Sequence, residues 1–305
     1  STPIKSSAAS DVYKRQSQAR LYKGIHDQTL SAINKGYTIN ELESQIMLPK
    51  ELTEKWYLRP YYGTLSHNSK AVYQKYMGWY DSNPVNLDPL PPIEEAKNFV
   101  NYMGGAQKIL QKAAEDYQNG NYRWVAKVTN LIVFAEPDNQ DARLLCNKAL
   151  TQLGYQAESG TWRNEYLTGA LELAQGTIKN PDHYANGSQD LISHLTGEMV
   201  LNYLSLLTIP SDKQLSGIVV FEDDWTFENG AYKQRSSCYQ LDYWRGILTY
   251  FPINSTNLAS PEYLYRGNRI PFMNQLLYTK TEELKEWRQL FEINPDERYF
   301  NIIEP

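Results

Sequence analysis

Along most of this chain the apolar positions recur three and four residues apart, the spacing of one helix face. Between residues 18 and 35 the inward set is Leu21, Tyr22, Ile25, Thr29, Leu30 and Ile33, and Gly36 ends the run. Asn40 and Glu43 make a capping box for a short helix that Leu48-Pro49 stops, and another short segment covers 51–56. Ser66 then reads as a helix cap with Ser69 three positions on, followed by an aromatic face of Val72, Tyr73, Tyr76, Trp79 and Tyr80. Residues 83–92 hold Pro84, Pro89, Pro91 and Pro92, which predicts an extended linker or domain boundary. Helical hairpins follow. Residues 106–117 carry Ile109, Leu110, Ala113, Ala114 and Tyr117 on one face; 122–135 carry Val125, Val128, Ile132 and Ala135; 138–153 carry Ala142, Leu145, Ala149 and Leu153. Asn119-Gly120, Pro137-Asp138 and Gly154 separate them, and a last helix covers 162–174. The order of Gly, Tyr, Ala, Pro and Asn is similar to one tetratricopeptide-type repeat. Such hairpins need a neighbour or a second subunit to bury their remaining face.

Past Gly176 the period changes. A polar loop spans 180–188, Thr196 caps a helix carrying Met199, Val200, Tyr203, Leu204 and Leu207, and strand patterns then appear. They cover 217–227, 239–243, 246–251 and 263–265, with Asn229-Gly230 as a hairpin turn. A charged amphipathic helix over 279–292 presents Leu284, Trp287 and Phe291. The fold class is therefore mainly α, with a C-terminal α+β domain.

Composition narrows this only at the edges. The 305 residues suffice for two domains, and a net charge of −5 argues against a nucleic-acid partner. No apolar run approaches the ~18 residues of a membrane span. Residues 1–16 are polar and weakly periodic, lack the apolar core of a secretory signal, and read as a non-native or disordered tail. Of the two cysteines, Cys146 sits on a helix core face and reads as a buried apolar residue, not half of a disulfide.

The candidate chemistry gathers in the stretch 61–81, YYGTLSHNSKAVYQKYMGWYD. Backbone N–H groups at a helix start suit an anion, and His67 and Asn68 stand there with proton-donating side chains. Tyr62 and Lys70 are neighbours. The plainer reading of the same residues is a capped helix with an aromatic core face. His26-Asp27 reads as a surface pair more readily than as a hydrogen-bonded pair behind an active site. The four histidines, His26, His67, His183 and His194, form no cluster, so this sequence offers no metal ligand run.

The strings YKGIHDQT, YYGTLSHNSKAVYQKYMGWYD, NPVNLDPLPPIEEAKNFVNYMGG, YRWVAKVTNLIVFAEPDN and YQAESGTWRNEYLTGALEL closely resemble the bacterial alkyl sulfatases, from about residue 19 to 173. These are sulfate-ester hydrolases of the metallo-β-lactamase superfamily. The resemblance implies four segments. Residues 1–16 are the tail; 17–90 are the helical end of the metallo-β-lactamase-like catalytic region with a linker. Residues 91–176 are a dimerisation domain, and 177–305 a sterol-carrier-protein-like α+β domain. It further implies hydrolysis of long-chain alkyl sulfates by a homodimer using two zinc ions, whose ligands are absent from this chain. The chain alone is then expected to be inactive, and the full-length enzyme periplasmic or secreted. His67 is the implied catalytic group, with His67, Asn68 and Tyr62 meeting the substrate. Trp162-Arg163-Asn164 and Arg123-Trp124 are implied packing and dimer contacts. The rival expectations are a non-catalytic dimerising lipid-binding module and a helical-repeat scaffold.

Overall fold

The computed structural model describes residues 2–176, 194–254, 263–277, 284–291 and 303. The chain divides into two compact units, Ser1–Ile178 with Phe300–Pro305, and Lys179–Tyr299. The expected polar loop at 180–188 lies outside the described residues.

The first unit is helical throughout. Helix α1 (Thr2–Asn34) begins well before the expected position 18, so the polar N-terminal stretch continues the same helix. Gly36, at φ 86°, closes it: Gly36 N–H bonds the Ile33 carbonyl and Tyr37 N–H the Ala32 carbonyl, the paired bonds of a Schellman stop. The capping box at Asn40 does not form. Residues Leu42–Gln45 make a 3₁₀ turn, and the Glu41 carboxylate instead takes the Thr38 N–H and hydroxyl. After α2 (Lys50–Thr53) comes α3 (Leu65–Met77), which packs Tyr73 against Ala32 and Leu42. The proline-rich stretch is an internal connection within this unit; it contains a 3₁₀ turn at Pro84–Asn86 and ends with Pro92 at the first position of α4 (Pro92–Tyr102).

Helices α5 (Ala106–Gln118), α6 (Tyr122–Ala135), α7 (Gln140–Gln156) and α8 (Gly160–Gln175) then stack in sequence order, and α6 also meets α4. Their shared core is Val100, Ile109, Ala113, Val125, Val128, Ile132, Val133, Ala142, Cys146, Ala149, Ala170 and Leu173. Small residues on α7 allow the close approach: Ala142, Cys146 and Ala149 are each fully buried. Burial pushes the Cys146 thiol up to about 11. Ala114, expected inward, is exposed.

In the second unit, Thr196 caps α9 (Gly197–Leu206), and a four-stranded sheet follows. Strands β1 (Gln214–Glu228) and β2 (Ala231–Trp244) pair antiparallel through the Asn229-Gly230 turn. Arg245-Gly246, both at positive φ, turns β2 into β3 (Ile247–Pro252). Strand β4 (Tyr263–Gly267) adds parallel to β1. One sheet face, with Val219, Phe221, Leu241, Tyr243 and Leu248, packs on α9 and on a helix at Arg269–Leu277 that the periodicity did not predict. Of the helix expected over 279–292, the described residues show one turn, Lys285–Arg288, with Trp287 buried. The cavity left inside this core is about 20 Å³, room for roughly one water.

Candidate functional site

The loop leading into α3 is held from behind by the start of α8. Gly160 N–H donates to the Tyr61 carbonyl (2.7 Å), while the hydroxyls of Ser159 (2.5 Å) and Thr161 (2.8 Å) both donate to the Tyr62 carbonyl. Arg59 adds an ion pair to Glu158. Two segments about a hundred residues apart are thus tied together at two backbone carbonyls, and α3 starts from a fixed point.

The cap of α3 is Thr64, not Ser66: its Oγ1 accepts the His67 N–H at 3.1 Å. The Asn68 N–H is also taken, by the Thr64 carbonyl at 2.9 Å. An anion facing His67 and Asn68 would therefore meet their side chains, because their backbone donors are already used. The expected aromatic face is also redrawn. Only Tyr73 is buried, the helix ends at Met77 before Gly78 (φ 81°), and Trp79 and Tyr80 lie beyond it.

Asn68 is half-buried and its carboxamide stands against Gly63. With Tyr61, Tyr62, Leu65, Tyr22 and Ile25 it lines a cleft of about 520 Å³. Tyr62 is 80% exposed at its edge. His67 is exposed and is not part of that lining; Lys70 is half-buried and also outside it. Instead the His67 Nδ1 accepts a hydrogen bond from the indole Nε1–H of Trp162 at 2.9 Å, with the rings edge to face at 4.8 Å. Sequence reasoning placed Trp162 among packing and dimer contacts and missed this pairing. Neighbouring Arg163 turns back to the Ala157 carbonyl.

His26 and Asp27 pair at 3.1 Å, and the other His26 nitrogen meets the Tyr76 hydroxyl at 2.9 Å, which links α1 to α3. The Lys23 ammonium, and after it the His26 ring, hold the Asp27 carboxyl below the usual carboxylate range. Among the described residues no three His, Cys, Asp or Glu side chains gather to hold a metal ion. Nor is any helix among them long and apolar enough to cross a membrane.

The site thus offers three side chains that can donate hydrogen bonds: a carboxamide, a phenol and an imidazole. Residues 38–176 match the family described as alkyl sulfatase dimerisation. The alkyl/aryl-sulfatase BDS1 of Saccharomyces cerevisiae is 50% identical over 212 residues, 70% of this chain and 32% of that protein. A linear primary-alkylsulfatase of Pseudomonas sp. is 47% identical over 191 residues, covering 62% and 28%. An (R)-specific secondary-alkylsulfatase of Pseudomonas sp. is 42% identical over 213, covering 70% and 31%. The solved structure of the stereoselective inverting sec-alkylsulfatase Pisa1 from Pseudomonas sp. superposes with a TM-score of 0.81 at 33% identity, over 95% of this chain and 46% of that one. The chain spans about a third of the length of the sulfatases it matches by sequence. Through residues 38–176 and the likeness on either side of them, the chain resembles the dimerisation and C-terminal part of the alkyl sulfatases.

Proposed function

We propose that this chain works as part of an alkyl sulfatase, which hydrolyses long-chain alkyl sulfate esters to the alcohol and inorganic sulfate. Within it, residues 38–176 pair two copies, and the corner at Tyr62, His67 and Asn68 meets the sulfate group. The observation that carries this reading is the match over 38–176 together with the 50% identity to a named alkyl/aryl-sulfatase.

The geometry adds a division of labour. The Asn68 carboxamide and the Tyr62 phenol offer hydrogen bonds to sulfate oxygens from the cleft, and the His67 imidazole offers an N–H beside it. Donors aimed at oxygens that gain charge as the ester bond breaks lower the barrier. The two zinc ions that the resemblance implies find no ligand set among the described residues, and no step of this proposal runs through them. Taken by itself, the second unit exposes Trp244, Ile247 and Phe251, apolar side chains of the kind an alkyl-binding, sterol-carrier-like role needs. A periplasmic or secreted location of the whole enzyme belongs to the same reading.

The test joins this chain to the remaining two thirds of a relative such as the Pseudomonas linear primary-alkylsulfatase and measures sulfate released from dodecyl sulfate. The joined protein is expected to release sulfate, and this chain alone to release none. His67→Ala is expected to lower kcat/KM by about 10²-fold or more. A joined protein that turns over normally with His67→Ala, Asn68→Ala and Tyr62→Phe together would remove the corner from the mechanism.

A further inference from the structure

We infer that Trp162 is a positioning residue for His67. By donating its indole proton to Nδ1 it holds the ring in one tautomer and directs the remaining N–H, on Nε2, to whatever the imidazole serves. The inference deepens the reading above, in which that imidazole meets the sulfate ester.

An indole N–H can only donate, so the nitrogen that receives it at 2.9 Å must carry a lone pair. Nδ1 is therefore the unprotonated nitrogen, and the imidazole hydrogen sits on Nε2. A free neutral imidazole interconverts between two such forms and rotates about its side-chain bonds. The bond removes the first freedom, and the edge-to-face packing at 4.8 Å restricts the second.

Trp162 is itself well placed to impose this. Its backbone N–H donates to the Ser159 cap at 3.4 Å, at the first turn of α8, and its ring meets Tyr166 edge on. That same turn grips the carbonyls of Tyr61 and Tyr62 through Gly160, Ser159 and Thr161. The helix bearing the indole and the helix bearing the imidazole therefore share one anchor that does not involve either ring. Two consequences follow. The two helices are held together by hydrogen bonds to the Tyr61 and Tyr62 carbonyls, and a Trp162→Phe variant keeps that anchor while losing only the N–H. A packing role alone would need the ring's area but not its donor, so the two roles separate at that substitution.

The experiment has two arms. In the first, this chain is labelled with ¹⁵N-histidine and the ring nitrogens are observed by long-range proton–nitrogen correlation, His67 being assigned by its loss in His67→Gln. The expected result is a single Nε2–H tautomer for His67, replaced in Trp162→Phe by averaged nitrogen shifts while the melting temperature stays close to that of the parent. A parent His67 protonated on Nδ1, or a Trp162→Phe spectrum identical to the parent's, would overturn the inference. This arm needs no substrate. In the second, the joined enzyme is assayed with dodecyl sulfate. Trp162→Phe is expected to lower kcat about tenfold with KM little changed, and to add nothing to the loss already caused by His67→Ala. A full additional loss in the His67→Ala background would show that Trp162 acts elsewhere and would sink the proposal. If instead His67→Ala itself leaves sulfate release intact, the functional reading of the corner fails while the tautomer result of the first arm still decides the role of Trp162.

Discussion

Asn68 lies over Gly63 so closely that a Cβ on the glycine would stand 2.6 Å from the Asn68 Oδ1 and 3.2 Å from its Nδ2. The glycine is there to make room, since its backbone does not sit at the positive φ that favours glycine. Gly63→Ala is therefore expected to push the carboxamide out of its place on the cleft, at about 1–3 kcal/mol of stability, read from urea unfolding of the first unit. The cost should vanish in an Asn68→Ala background. An equal cost in both backgrounds would locate the strain somewhere other than this contact.

Thr64 and Ser66 are two residues apart and chemically alike, yet only Thr64 caps α3. Thr64→Ala is expected to cost about 1 kcal/mol, and Thr64→Ser much less, because the bond to the His67 N–H needs only the hydroxyl. Ser66→Ala leaves that bond in place. Equal losses at both positions in the same urea titrations would contradict the assignment.

That pair also shows where sequence reading stops. Hydrophobic spacing and the Gly, Asn and Pro breakers place α5, α6 and α8 within a residue or two, because each of those signals is local, but α7 runs through Gly154 to Gln156, three residues beyond its expected end. The cap register of α3 was missed because two hydroxyl residues fit the same pattern, and geometry chose between them. Tyr22 was read as inward from its spacing, yet it is 66% exposed on the wall of the cleft. The Trp162–His67 bond joins residues 95 positions apart, so no window of sequence contains it. The helix Arg269–Leu277, which the periodicity did not predict, carries Pro271 in its first turn, where a helix tolerates proline.

Asp224 is buried beneath the first turn of α9 and accepts from the Gly197 and Trp225 N–H groups and from the hydroxyls of Ser237 and Tyr239. Burial, with the Asp224 and Glu198 carboxylates nearby, pushes the Tyr239 phenol up to about 12. Asp224→Ala would strand several buried donors at once and is expected to cost more than about 3 kcal/mol. The loss should appear as an early-melting second unit, followed by near-ultraviolet dichroism, while the helical signal of the first unit persists. A second unit that melts at its original temperature would show that the donors find other partners.

The Cys146 thiol gives a pH dependence with a definite sign. Its folded value near 11 lies above the ordinary value of 9.0, so the folded state holds this proton more tightly than the unfolded chain. The resulting stabilisation is complete below pH 9 and is lost as pH rises from 9 to 11, by about 3 kcal/mol at most. Urea unfolding of the parent and of Cys146→Ala at intervals across that range isolates the effect as a difference. The parent's advantage should shrink steadily above pH 9; a constant difference would mean that the thiol ionises in the fold as it does in water.

The alkyl tail is the last point, and here volume decides. Sites for small ligands run to about 300–1,000 Å³. Among the described residues of the second unit, the core cavity lined by Leu204, Leu241, Phe272, Trp287 and Phe291 among others holds about 20 Å³. Admitting a twelve-carbon chain would mean parting the sheet from its helices and giving up the contacts of residues that are almost fully buried. Apolar area is already in the open on the outer face of the sheet, with Phe251 59% exposed, and Trp244 and its strand partner Ile247 each 55%. A tail lying on that surface costs no core packing. In a chain labelled with 5-fluorotryptophan, dodecyl sulfate below its micelle concentration is therefore expected to shift the Trp244 resonance and leave that of Trp287 in place. Trp244→Ala should weaken the binding several-fold, because it removes much of the apolar area available to the tail. A shift at Trp287 with Trp244 silent would mean that the core opens to take the chain, and that the closed packing of this unit is only one of its two states.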